Sequence, residues 1–168
     1  MKSLKLSNGV EIPEIGHGTW LAKGDDAYNG TLIALSLGYR HIDSASAYGN
    51  EVEVGKAIRD SNINRSEIFL TSKVPAEIKS YEEAKKIIQK SLDNFNVGYI
   101  DLMLIHCPQP WNEYGKNSYR YEKENLDVWK ALLEYYNQGL IKAVGVSNFS
   151  IEDIKNIQNN SSVAPQVN

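Results

Sequence analysis

Asp43, Tyr48, Lys73 and His106 are the residue types of a proton-delivery site, and three of them end short apolar runs. Asp43 closes "YRHID", with Tyr48 five residues on in the small-residue turn of "HIDSASAYGNE"; Lys73 closes "IFLTSK" and His106 closes "LMLIH". An ionisable group at the buried end of an apolar run must be paired, because an isolated buried charge is costly. If the runs are adjacent strands, Lys73 and Asp43 pair. An ammonium beside a phenol favours the phenolate and lowers a tyrosine pKa from its usual value of about 10. That makes Tyr48 a usable proton donor near neutral pH, and His106 could orient the substrate oxygen. Ser147-Asn148 ends the next run in the same way. Each residue also has a structural reading: Asp43 as a turn acid, Tyr48 as packing, Lys73 as a solvated edge charge, His106 as a core histidine, Ser147-Asn148 as a helix N-cap pair. Their coincidence at successive strand ends favours the chemical reading.

The elements that must position them alternate. "LKLSNGVEI" reads as a hairpin turning at Asn8-Gly9, followed by a short strand in "EIGHGTW". Helices are expected over 25–37, 50–59, 81–95, 126–136 and 151–158, the second with Asn50 and Glu53 spaced as a capping-box variant. Strands are expected in "YRHID", "EIFLTSKV", "YIDLMLIH" and "IKAVGVSNF", and "VAPQVN" opens another. Each strand is followed by a helix, the pattern of a parallel sheet. An open dinucleotide-binding sheet needs a glycine-rich first turn leading directly into a helix. Here that turn is "GHGTW", so a (β/α)8 TIM barrel is favoured. A complete barrel takes roughly 250 residues. The 168 residues supply a single domain, 1–168, of about five and a half βα units with an N-terminal β-hairpin. The sequence is therefore read as the N-terminal part of a longer protein, expected to be inactive and aggregation-prone in isolation.

Composition narrows the partners. Hydrophobic residues make up 42% and charged residues 23%, with a formal net charge of -3 and no basic stripe. Nucleic acid and membrane are not expected partners. The N-terminus shows no apolar leader run, and the single cysteine, Cys107, forms no internal disulfide; both point to the cytoplasm. A metal centre from His41, Asp43 and His106 is disfavoured by the positive charge of Lys73. Cys107 follows His106 directly, so the two face opposite sides of a strand, and Cys107 reads as a small apolar group.

Six stretches in register, "GHGTW", "GYRHIDSASAYGNE", "TSKV", "DLMLIHCPQP", "GLIKAVGVSNF" and "APQVN", closely resemble the N-terminal part of the aldo-keto reductases. The resemblance runs along the whole chain and looks nearest to the prokaryotic branch with the 2,5-diketo-gluconate reductases. It implies NADPH-dependent (NADH possible) reduction of an aldehyde or ketone to an alcohol, with a small-molecule carbonyl substrate and a monomer at full length. By the same resemblance Tyr48 is the general acid, Asp43 and Lys73 tune it, and His106 positions the carbonyl. It implies cofactor contacts at Thr19, Trp20, Asp43, Ser147 and Asn148, and substrate contacts at Trp20, Tyr48, His106 and Trp111, with no metal. Gln166 does not match the family's nicotinamide-contacting glutamine, which follows the stretch like "PQVN". The alternatives are a non-catalytic binding or regulatory subunit on the same barrel, or a metal-dependent hydrolase.

Overall fold

The structure, a computed structural model, describes residues 2–116 and 118–168. Strands β1 (Ser3–Lys5) and β2 (Glu11–Pro13) form an antiparallel hairpin closed at Gly9, whose φ of 90° suits a residue without Cβ. There follow β3 (His17–Gly18), α1 (Asp25–Ser36), β4 (His41–Asp43), α2 (Glu51–Asp60), β5 (Phe69–Val74), α3 (Tyr81–Phe95), β6 (Ile100–Ile105), α4 (Glu122–Asn137), β7 (Ile141–Val146) and α5 (Ile151–Asn160). The five strands β3 to β7 lie in chain order, each parallel to the next. This is the expected βα succession, part of a (β/α)8 barrel wall.

The period-2 pleat divides the sheet residues between two cores. Ile42, Leu70, Val74, Met103, Ile105, Val144 and Val146 face the helices, where Ile88, Phe95, Trp129 and Leu132 bury against them. Phe69, Leu102, Leu104 and Ala143 face the other way and are covered by Leu6, Val10 and Ile12 from the hairpin side. Asp43, Lys73 and His106 share the parity of this second face. They follow its apolar residues at the C-terminal ends of β4, β5 and β6, so one alternation both builds the core and assembles the site.

Four sequence expectations change. Asn50 and Glu53 form no capping box: the Asn50 side chain caps nothing in α2 and turns instead to Thr19, Ala22 and Ser44. A capping box does form on α5, between Ser150 and Asp153, and that helix runs on to Asn160. Helix α4 begins a turn earlier than expected, at Glu122, behind Tyr121 in the left-handed region at φ 55°. Residues 163–168 are not a regular strand. They lie along β7 through the backbone bonds Gln166 N–H to Val144 O (2.9 Å) and Val146 N–H to Val167 O (2.9 Å).

Candidate active site

Lys73 is the centre of the site and is 7% exposed. Its ammonium donates to Asp43 Oδ1 at 2.6 Å and to the Ser44 carbonyl at 2.7 Å, and lies 3.4 Å from the Tyr48 hydroxyl. The register explains the pairing: Asp43 stands opposite Thr71 on β5, and Lys73 is one pleat further along the same face. Tyr48 reaches the lysine from a single 3-10 turn, Ser46–Tyr48, ended by Gly49 at φ 68°.

On the other side of Tyr48 stands His106, its ring centroid 5.8 Å from that of the phenol. Trp111 packs edge-on against His106 at 5.4 Å, and its backbone N–H donates to Glu77. Trp20, Ala47, Tyr48, His106 and Trp111 together line an open cleft of about 400 Å³. Burial first, and the nearby Lys73 ammonium second, push the His106 imidazole down to about 4. It is therefore neutral at neutral pH, with one N–H to donate. Its Nδ1 is buried and has no hydrogen-bond partner among the described residues.

The remaining site residues separate into two groups. Asn148 adopts the left-handed conformation at φ 61° and donates from Nδ2 to the His106 carbonyl (2.9 Å) and to Ser147 Oγ (3.0 Å), so the ends of β6 and β7 are tied together. Thr19 is fully buried, and both its N–H (3.0 Å) and its hydroxyl (3.1 Å) donate to the Asp43 carbonyl. Its side chain braces Asp43 from β3 rather than lining the cleft. Gln166 is engaged with the edge of β7, accepting from Val144 N–H at 2.7 Å.

His41, weighed above as a metal ligand, pairs with Thr71 Oγ1 at 2.9 Å. Among the described residues no group of three or more His, Cys, Asp or Glu is arranged to hold a metal. Cys107 is buried, and burial pushes its thiol pKa up. Sequence reasoning missed Ser44, Asn50 and Glu77. Asn50 carried a signal, an amide side chain beside a helix start, but that signal has the same form as an N-cap.

Polar groups delivered by successive parallel strands to one rim, beside an aromatic cleft, stand where α/β-barrel enzymes place their chemistry. The chain belongs to the aldo/keto reductase family, whose model matches residues 14–168. It is 38% identical to the glyoxal reductase of Bacillus subtilis over 167 residues, covering 99% of this chain and 56% of that protein. Among solved structures it resembles MGS-M4, an aldo-keto reductase from a deep-sea metagenome library (42% identity, TM-score 0.89, 99% of this chain and 57% of that one). It also resembles an aldo-keto reductase of Bombyx mori solved in complex with NADP (28% identity, TM-score 0.83, 98% and 56%). The chain spans about half the length of the curated relatives it matches.

Proposed function

We propose that this chain carries the proton-delivery machinery of an NAD(P)H-dependent carbonyl reductase that converts small aldehydes or ketones to alcohols. The observation that carries this reading is the Lys73 ammonium, held by Asp43 and Ser44 with the Tyr48 hydroxyl in reach. A substrate carbonyl in the cleft lies among Tyr48, His106 and the two tryptophans.

His106, neutral, donates its N–H to the carbonyl oxygen and fixes its direction. Tyr48 gives that oxygen its proton, and the phenolate left behind faces Lys73. This favours the charge that develops in the transition state over the neutral ground state. Asp43 keeps the ammonium in place, and the indoles of Trp20 and Trp111 wall the cleft.

The residues present fit the nicotinamide end of a dinucleotide. A carboxamide needs a neighbouring donor and acceptor, and Ser147 and Asn148 offer hydroxyl and amide groups beside His106. Trp20 and Asp43 are assigned to the same end of the cofactor, and Thr19 acts there through its hold on Asp43. The chemistry supplied by a bound nicotinamide is hydride donation to the carbonyl carbon. The relatives' names favour NADP and a small dicarbonyl such as glyoxal.

The test is absorbance loss from NADPH and from NADH with glyoxal, methylglyoxal and a panel of aldehydes and ketones, using the protein as its gene encodes it. Saturable carbonyl-dependent oxidation is expected, with NADPH preferred. NADPH binding without turnover across the panel would replace this reading with the non-catalytic subunit.

A further inference from the structure

The residues from Thr19 to Ala22 form a tight turn, closed by the Ala22 N–H donating to the Thr19 carbonyl at 3.2 Å. Its third residue, Leu21, sits at φ 66°, a region that glycine and asparagine enter readily and leucine avoids. Leu21 is 72% exposed, so packing does not hold it there. Trp20, the residue before it, forms one wall of the cleft facing Tyr48, His106 and Trp111. A strained turn at this place needs a restraint from outside itself.

That restraint is Asn50, which is fully buried. Its Nδ2 donates to both ends of the turn, Thr19 O at 2.8 Å and Ala22 O at 3.0 Å. Its Oδ1 accepts from the Ser44 hydroxyl at 2.8 Å, and the Ser44 carbonyl in turn accepts from Lys73 Nζ at 2.7 Å. One amide therefore joins the Trp20 wall to the segment that seats the lysine.

We propose that Asn50 is a positioning residue of the carbonyl-reducing site: it holds the strained Trp20 turn at a fixed spacing from the Tyr48–Lys73 pair. The inference rests on the carbonyl-reductase reading above. Thr19 is anchored separately, through two donations to the Asp43 carbonyl. Loss of Asn50 therefore frees the far part of the turn, Trp20 to Ala22, and leaves β3 in place. The effect falls on substrate capture more than on proton delivery.

The test compares Asn50→Ala, Leu21→Gly and the double variant, with Ile58→Ala as a control that truncates buried core on α2 without touching this network. In Asn50→Ala the KM for glyoxal rises about ten-fold while kcat falls less than about three-fold. Adding Leu21→Gly returns KM to within about three-fold of the original, because glycine enters the positive φ without the strain that leucine carries there. Ile58→Ala lowers the melting temperature and leaves KM unchanged. In a Trp111→Phe background the indoles left within these 168 residues are Trp20 and the buried Trp129; with any tryptophan outside them also replaced by Phe, fluorescence anisotropy falls with Asn50→Ala and recovers with Leu21→Gly.

Unchanged KM and anisotropy in Asn50→Ala overturn the proposal. So does an equal loss in kcat that Leu21→Gly does not rescue, which is the signature of a purely structural role. If the unaltered protein reduces no carbonyl, the carbonyl-reductase reading fails instead, and anisotropy alone decides whether Asn50 holds the turn.

Discussion

Asp43 and Lys73, thirty residues apart in sequence on adjacent parallel strands, meet at 2.6 Å, with Lys73 almost wholly buried and Asp43 about one-third exposed to solvent. The asymmetry decides what each does. The lysine depends on the pair for its solvation, whereas the aspartate retains water and serves as the anchor.

Replacing Lys73 with methionine tests this. The apolar side chain fills much of the space, but Asp43 loses its cation and the Ser44 carbonyl loses a donor. With the carboxylate partly solvated, the cost to stability is about 1–3 kcal/mol, read from denaturant midpoints. Turnover falls by about 10²-fold or more, because the phenolate of Tyr48 loses its counter-charge. A Lys73→Met protein that keeps its kcat would remove the lysine from the mechanism.

Stability should depend on pH through His106. Folded, the imidazole protonates only at about 4; unfolded, it does so near 6.5. Between these values the unfolded chain binds more protons, so the folded state loses stability as pH falls from about 6.5 towards 4. His41 is lowered too, by burial above all, and contributes in the same direction. The variant His106→Gln should flatten part of this slope in melting temperatures taken from pH 7 to pH 4.5. An unchanged slope would mean that His106 is not desolvated.

Gly55 marks the contact between α2 and α3. A Cβ at this position would stand 2.5 Å from the Phe95 Cα and 2.7 Å from its carbonyl carbon. Backbone atoms cannot swing aside, so Gly55→Ala forces the helices apart and costs stability at or above the upper end of about 1–3 kcal/mol. Thermal melting checks this, and a drop of less than about 2 °C would contradict the close approach.

Much of this site was legible in the sequence because strand parity is strict. Asp43, Lys73 and His106 each end an apolar run, and a parallel sheet brings such ends to one rim. The positions that were not legible depend on partners distant in the chain. Asn50 precedes a helix, where an asparagine ordinarily caps, and its partner Thr19 lies 31 residues upstream. The left-handed conformations of Leu21 and Tyr121 run against the preferences of their side chains, so local propensity points away from them. The early start of α4 follows from the same cause, since Tyr121 carries no capping signal. Residues 163–168 read as the opening of a strand, yet among the described residues two backbone bonds tie them to β7.

The central claim is that Tyr48 delivers the proton, and its removal is the most direct measurement. The variant Tyr48→Phe keeps the ring that packs against His106 and removes only the hydroxyl 3.4 Å from Lys73. Single-turnover oxidation of NADPH with glyoxal should slow by about 10²–10⁴-fold, with the thermal melt and NADPH binding unchanged. A Tyr48→Phe protein that reduces the carbonyl at the unaltered rate would contradict the account.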